Sequence, residues 1–177
     1  MRIFLWNING IVREEAQCKL KELVKEFKSD IIGIAEPRVY LSSRSMCRFQ
    51  VDGFNNSIIH NSTVTTIGNL WVMWSMNLPE PVVLNVSRQA ITISVEVFYI
   101  SLVHVSSIQD TRRNLWRQLN IGAQQVPWLV IGDFNFVLCN VEKKGGATPR
   151  TTVVNEFSDW MDDNSLFEAG SLGCNFN

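Results

Sequence analysis

The sequence predicts an α/β fold, and three observations support this prediction. Short apolar runs of strand length recur along the chain, segments with helical periodicity lie between some of them, and Gly, Pro, Asn and Ser separate the two kinds of segment. The chain has 177 residues, of which 46% are hydrophobic and 19% are charged. Because domains of roughly 100–200 residues bury most of their apolar surface, we predict one domain spanning residues 1–177.

The N-terminal region predicts two buried strands joined by a helix. The opening RIFLWN is short and apolar and runs into a turn at Asn9 and Gly10. Apolar residues then recur at three- and four-residue steps over residues 12–28, which is typical of an amphipathic helix. A second continuous apolar run, IIGIAE, ends at Pro37. Since both strands are apolar throughout, we expect them to be neighbours beneath a covering helix.

The rest of the chain predicts strands followed by helices. The runs FNNSIIH, NLWVMW, PVVLNV and AITISVEVFYISLVHV are typical of successive, largely antiparallel strands. Residues 110–120 predict a helix with Asp110 as its N-cap. The segment PWLVIGDFN repeats the opening pattern of an apolar strand that ends in a polar loop, and residues 152–163 predict a last helix whose inward residues are Phe157, Trp160 and Met161.

Composition excludes several classes of protein. The formal net charge of −1 lacks the basic excess of a dedicated nucleic-acid binder, so any nucleic-acid contact must come from a local patch. Four dispersed cysteines without a CxxC pair, and only two histidines, argue against a structural zinc site and indicate free thiols in a reducing compartment. No apolar stretch has the length of a signal sequence or a membrane span. We therefore expect an intracellular protein, nuclear or cytoplasmic, without membrane contact.

Polar side chains of one kind follow three of the predicted strands. Asn7 follows RIFLW, Glu36 follows IIGIA, and Asp133 with Asn135 follows WLVIG. If they converge, two carboxylates and two carboxamides make an oxygen-rich pocket that suits Mg²⁺ or Mn²⁺ rather than zinc. Taken singly, each is explained as an ordinary turn former or a solvated strand end. Their joint occurrence favours metal-assisted phosphodiester hydrolysis.

Several motifs occur in the order seen in a known family. They are WNING, IIGIAEPR, GNLWVMW, RRNLWRQL and WLVIGDFN. By these motifs nearly the whole chain resembles the plant LINE-type retrotransposon endonucleases of the endonuclease/exonuclease/phosphatase superfamily. GDFN is the most specific element, and EKKGG and FSDWMDDNSLFEAGSLG resemble the loop and helix that follow it in the family.

The resemblance implies a four-layered sandwich, in which two facing mixed β-sheets are flanked by helices and the site lies at one end of the sheets. It implies a DNA endonuclease that depends on one divalent cation, Mg²⁺ or Mn²⁺. Asn7 and Glu36 would hold the metal, Asp133 would position or deprotonate the attacking water, and Asn135 would hydrogen-bond the phosphate. His104 lies where relatives often have a tyrosine that touches the phosphate; the other interpretation is a partly buried histidine at a strand end.

Four basic residues are candidates for contact with phosphate or DNA. Arg112 and Arg113 offer the bidentate guanidinium fork that phosphate accepts, and Lys143 and Lys144 form a short basic loop after GDFN. The alternative for all four is that they are solvated surface charges.

Two features depart from the family pattern. The residue before Glu36 is Ala35, at a position where the family often has Gln. The sequence also stops at Asn177, before the family's Thr-Trp strand, Arg-containing segment and Ser-Asp-His motif. We therefore expect a fold that is incomplete at the C-terminus, weak activity or none, and an uncovered sheet edge that favours self-association or a protein partner. The alternatives are a non-catalytic descendant that binds nucleic acid or protein and, disfavoured by the retroelement-like middle of the chain, a small-molecule or lipid phosphoesterase.

Overall fold

The computed structural model describes residues 1–42, 46–120, 126–135 and 151–170. The chain forms two compact units. The first consists of Met1–His104 and Val126–Asp133, and the second of Val105–Gln125 and Phe134–Asn177.

The first unit begins with a mixed sheet of four strands. They are β1 (Ile3–Asn7), β2 (Ile31–Ala35), β3 (Ile59–His60) and β4 (Leu70–Trp74), in the spatial order β1-β2-β4-β3. Strands β1 and β2 are parallel and are joined through helix α1 (Glu14–Phe27), while β4 is antiparallel to both β2 and β3. The predicted strand, helix and strand are therefore confirmed, with the helix beginning two residues later than the predicted start.

A second mixed sheet completes this unit. It contains β5 (Val82–Val86), β6 (Ala90–Val95), β7 (Phe98–His104) and β8 (Trp128–Asp133) in that spatial order. The first three strands are antiparallel neighbours, and β8 pairs with β7 in parallel. The sequence predicted residues 90–105 as one run, which a turn at Glu96 and Val97 divides into β6 and β7. The parallel pair puts the carboxyl ends of β7 and β8 side by side.

Two apolar cores hold the layers of the first unit together. Side chains of both sheets, including Ile31, Val72, Ile93 and Leu102, pack between the sheets. A Cβ at Gly33 would lie 2.2 Å from Leu102 Cδ2, so the leucine side chain would have to shift. The opposite face of the first sheet packs against α1, and that core contains these buried residues: Leu20, Val24, Ile32, Ile34, Trp71 and Met73. The predicted fold class, α/β with two facing mixed sheets, is thus confirmed.

Two helices form the described part of the second unit. They are α2 (Gln109–Gln118) and α3 (Thr151–Asp163). The ring of Trp116 packs at a tilt against Trp160 and Phe157, with ring centroids 4.8 Å and 5.4 Å away. Trp160 and Phe157 are buried as predicted, whereas Met161 is only half-buried. The predicted N-cap at Asp110 is wrong: the helix begins at Gln109 after Ile108, and Asp110 lies in the first turn, where a carboxylate also favours the helix dipole.

Within the described ranges, no helix combines the length and the apolar character needed to cross a membrane.

Candidate active site

The carboxyl ends of four strands meet at one end of the two sheets of the first unit. In β1 and β2, Asn7 lies opposite Ala35, so Glu36 follows directly beside Asn7. In β7 and β8, His104 lies opposite Asp133. Because parallel strands end at the same edge of a sheet, the topology brings Asn7, Glu36, His104 and Asp133 together.

Asn7 connects the two carboxylates of this cluster. Its amide Nδ2 donates to Glu36 Oε1 at 3.2 Å and lies 3.3 Å from Asp133 Oδ2. The amide oxygen Oδ1 is buried, and it has no hydrogen-bond partner among the residues that the structure describes. A buried polar atom without a partner is costly, so a cation or a hydrogen-bond donor bound to this oxygen would stabilise the site.

Glu36 is held as a carboxylate by donors on both of its oxygens. Oε1 is 3.2 Å from Nε2 of His104 in addition to Asn7, and Oε2 accepts from Nε of Arg38 at 3.0 Å. The hydrogen bond from Arg38, followed by that from Asn7, keeps the pKa of Glu36 below its ordinary value even though burial opposes the shift. Sequence reasoning missed Arg38, although a cation two residues after a candidate ligand was a signal for it.

The backbone of Glu36 adopts an unusual conformation. Its φ angle is +50°, in the left-handed region that residues other than glycine seldom occupy. Two hydrogen bonds hold the residue there: its N–H donates to the carbonyl of Asn69 at 2.9 Å, and its carbonyl accepts from Gly10 N–H at 2.9 Å. Such strained residues cluster at functional sites, because only the surrounding structure keeps them in place.

His104 lies between Glu36 and a pair of asparagines. Its Nδ1 is 3.0 Å from Asn69 Nδ2, and Asn69 is in turn hydrogen-bonded to Asn61, which is only 5% exposed. Sequence reasoning missed both asparagines because Asn beside a strand is also an ordinary turn residue.

The remaining predicted residues belong to the second unit. Asn135, with a φ of +53°, donates through Nδ2 to the carbonyl of Val105 at 2.7 Å. Arg112 is 6% exposed, and burial lowers its pKa. Arg113 bonds Glu156 through Nε at 2.9 Å, and this hydrogen bond raises the pKa of Arg113. The predicted DNA-contacting residues Lys143 and Lys144 lie outside the described residues.

The cluster in the first unit has the donor set of a hard-cation site. Two carboxylates and one carboxamide oxygen suit Mg²⁺ or Mn²⁺, which prefer oxygen ligands. In the described part of the chain, no three His, Cys, Asp or Glu side chains form a group that could hold a metal ion by themselves, so a cation would also need the carboxamide oxygen of Asn7. The same carboxylates can also accept a proton from a water molecule.

Comparison with known proteins agrees with this fold. Residues 4–152 match the model of a family described as the endonuclease/exonuclease/phosphatase family. No curated protein matches the chain in sequence.

Three solved structures illustrate the likeness. The AP endonuclease of Archaeoglobus fulgidus superposes with a TM-score of 0.66 at 11% identity, covering 92% of this chain and 70% of its own. The AP endonuclease LMAP of Leishmania major gives 0.65 at 12% identity, with 91% and 66% covered. A 3′-phosphatase of Neisseria, solved with a product DNA hairpin, gives 0.64 at 11% identity, with 92% and 70% covered. At such low identity the likeness shows the fold.

Proposed function

The chain belongs to the endonuclease/exonuclease/phosphatase family, and on this basis we propose that it is a divalent-metal-dependent phosphodiesterase that acts on DNA and derives from a retrotransposon endonuclease. One observation supports the catalytic proposal above the others. Asn7 bridges the carboxylates of Glu36 and Asp133 and has a buried oxygen without a described partner. This is the arrangement from which a cation and a water-activating base can work on one phosphate.

The residues present fit a divalent cation. Asn7 and Glu36 would hold Mg²⁺ or Mn²⁺ through oxygen atoms, with the carboxamide of Asn7 turned so that Oδ1 rather than Nδ2 faces Glu36. In that orientation the amide oxygen faces two carboxylates, and three oxygens in contact repel one another. The arrangement is therefore favourable only when a positive charge lies between them. When bound, the cation would polarise a phosphoryl oxygen.

Side chains of the protein would activate the water, bind the cation and contact the phosphate. Asp133 lies 3.3 Å from the Asn7 amide and would orient a water molecule and accept its proton. Arg38 and Asn7 lower the pKa of Glu36, which favours the carboxylate form that would bind a cation. Asn135 would donate its amide N–H to the phosphate as negative charge develops there.

Contacts with the DNA backbone would come from the basic residues. Arg113 has 45% of its side chain exposed and is more accessible than buried Arg112, but phosphate would compete with Glu156 for it. Lys143 and Lys144 would add charge that binds backbone without reading sequence. The Neisseria relative bound to a DNA hairpin supports a DNA substrate, and the order of the LINE-type motifs supports the retrotransposon origin.

We also propose that the chain self-associates through a sheet edge. Strand β5 is the outer strand of the second sheet, and all five of its residues are exposed, including Val82, Val83, Leu84 and Val86. An exposed apolar edge offers backbone groups and side chains to a second copy of the same strand. Sedimentation over a concentration series tests this, and a monomer at every concentration would contradict it.

Nicking of supercoiled plasmid with Mg²⁺ or Mn²⁺, beside an EDTA control, tests the catalytic proposal. Asp133→Asn should slow nicking by a factor of about 10² or more, because it removes the proton acceptor. Asp52→Asn, at an exposed carboxylate, is the matched control and should leave the rate unchanged. DNA retained on filters without nicking would instead indicate a non-catalytic binding protein, and nicking indifferent to Asp133→Asn would overturn the role of Asp133.

A further inference from the structure

We propose that Asn61 and Asn69 hold the His104 ring so that Nδ1 accepts a hydrogen bond and Nε2 donates one to Glu36, which makes His104 a positioning residue. The resemblance implied instead that His104 contacts phosphate. The ring assignment stands on geometry alone, and only its consequence for metal binding rests on the proposed function.

The chain of hydrogen bonds starts from backbone groups whose direction is fixed. The Oδ1 of buried Asn61 accepts from the backbone N–H groups of Asn69 at 2.9 Å and Leu70 at 3.0 Å. Its Nδ2 lies 3.0 Å from the carbonyl of Ser87 and 3.1 Å from that of Arg88, which can share one of its two hydrogens. Since backbone N–H groups only donate and carbonyls only accept, the orientation of the Asn61 amide is determined.

The orientation of the Asn69 amide follows from that of the Asn61 amide. Asn61 Nδ2 donates to Asn69 Oδ1 at 2.7 Å, so the other end of the Asn69 amide is its NH₂ group. That Nδ2 is 3.0 Å from Nδ1 of His104. An amide NH₂ cannot accept, and therefore Nδ1 of His104 must be the acceptor and carries no proton.

The ring then has one donor, and it points at the candidate metal ligand. A neutral imidazole without a proton on Nδ1 has it on Nε2, which is 3.2 Å from Glu36 Oε1. Asn69 also contacts Glu36 directly, because its backbone carbonyl accepts the Glu36 N–H at 2.9 Å. Asn69 therefore restrains both the backbone and the carboxylate of Glu36, the kind of support that orients a metal ligand.

Gly68 provides the space that this arrangement needs. A Cβ at Gly68 would lie 2.6 Å from the backbone N of Ser62 and 2.7 Å from Asn61 Oδ1. Any side chain there would push the segment of Asn61 away from Asn69. Gly68 therefore allows Asn61 to approach Asn69, and Asn69 in turn contacts the ring of His104.

The ring protonation can be measured by ¹⁵N NMR on metal-free protein at about pH 8.5, where an ordinary imidazole is neutral. The chain has two histidines, so His60→Gln assigns the signals. We expect a pyridine-type Nδ1 and a pyrrole-type Nε2 for His104. A pyrrole-type Nδ1 in the unaltered protein would overturn the proposal without any variant.

Asn69→Asp is the matched change, because a carboxylate still accepts from Asn61 but can no longer donate to His104. We expect the Nδ1 signal of His104 to become pyrrole-type. Asn77→Asp, at an exposed position beyond the opposite end of β4, should leave the spectrum unchanged. A His104 signal indifferent to Asn69→Asp in a folded protein would refute the role of Asn69.

Metal binding gives a separate readout. Asn69→Leu removes the donor without adding a charge and should weaken Mn²⁺ binding roughly 10-fold, the usual effect of losing a group that orients a ligand. If the unaltered protein binds no Mn²⁺, the proposed function fails while the NMR result stands. Unchanged Mn²⁺ affinity in Asn69→Leu, with the unaltered protein binding, would contradict the positioning role.

Discussion

The nitrogen and the oxygen of the Asn7 carboxamide lie in different environments. Its nitrogen faces the carboxylates of Glu36 and Asp133, and its oxygen is buried without a described partner. A hydrogen bond from a neutral amide to a charged group contributes about 1.5–3 kcal/mol. In the absence of a cation, the amide therefore supplies the partial positive charge that keeps two carboxylates close together.

Asn7→Asp tests this interpretation. The substitution puts a third carboxylate beside Glu36 and Asp133, so it should lower the melting temperature in EDTA. Added Mn²⁺ should raise the melting temperature of Asn7→Asp more than that of the unaltered protein, because a cation relieves the repulsion. Asn56→Asp, at an exposed position before β3, is the control. Equal melting temperatures in EDTA for Asn7→Asp and the unaltered protein would contradict the bridging role of Asn7.

The sequence predicted some site residues and missed others for a physical reason. Asn7, Glu36 and Asp133 follow apolar strands, and that local pattern can be read along the chain. Asn61 and Asn69 act through contacts between segments that only the folded sheets bring together, Asn69 being 35 residues from the His104 that it contacts. Arg38 was missed although it is local, because a charged residue after a strand is usually solvated.

At the scale of elements, periodicity predicted which segments form strands and helices better than it predicted their ends. Strand β2 and helix α1 arise from patterns that repeat over several residues. The start of α2 depended on choosing between neighbouring positions, and an acidic residue is favoured both at an N-cap and in the first turn. Aspartate is favourable at either position, so the sequence alone did not show whether Asp110 is the N-cap or lies in the first turn.

Helices α2 and α3 are linked by an ion pair whose effect should depend on pH. The hydrogen bond from Arg113 lowers the pKa of Glu156 below its ordinary value of 4.5, and a further bond comes from Gln109 at 3.1 Å. A carboxylate with a depressed folded-state pKa stabilises the fold above the unfolded value, and this stabilisation is lost as the pH falls through the folded value.

Glu156→Gln should therefore lower the melting temperature at pH 7, and the difference from the unaltered protein should shrink as the pH falls from about 5 to about 3. The effect should be modest because the pair is solvent-exposed. Glu168→Gln, at an exposed position after α3, is the control. A difference that stays constant over this pH range would show that the pair with Arg113 does not stabilise the helices.

At the scale of the whole molecule, the strand order could not be predicted from local patterns. The sequence predicted β7 and β8 as strands, but their parallel pairing joins residues separated by a helix and a long connection. That pairing sets His104 opposite Asp133, just as the pairing of β1 with β2 sets Asn7 opposite Ala35. The resemblance implied the two facing sheets, and the structure shows how they bring the site residues of the first unit together.

The most direct test of the central claim is calorimetry of Mn²⁺ binding to the unaltered protein, Glu36→Gln and the matched control Glu80→Gln, whose site is exposed. Glu36→Gln replaces a charged oxygen ligand by a neutral one, so we predict one Mn²⁺ site that is weakened at least about 10-fold, or roughly 1.4 kcal/mol. Glu80→Gln should bind as the unaltered protein does. Equal Mn²⁺ affinity in Glu36→Gln and the unaltered protein would contradict a metal site at Glu36.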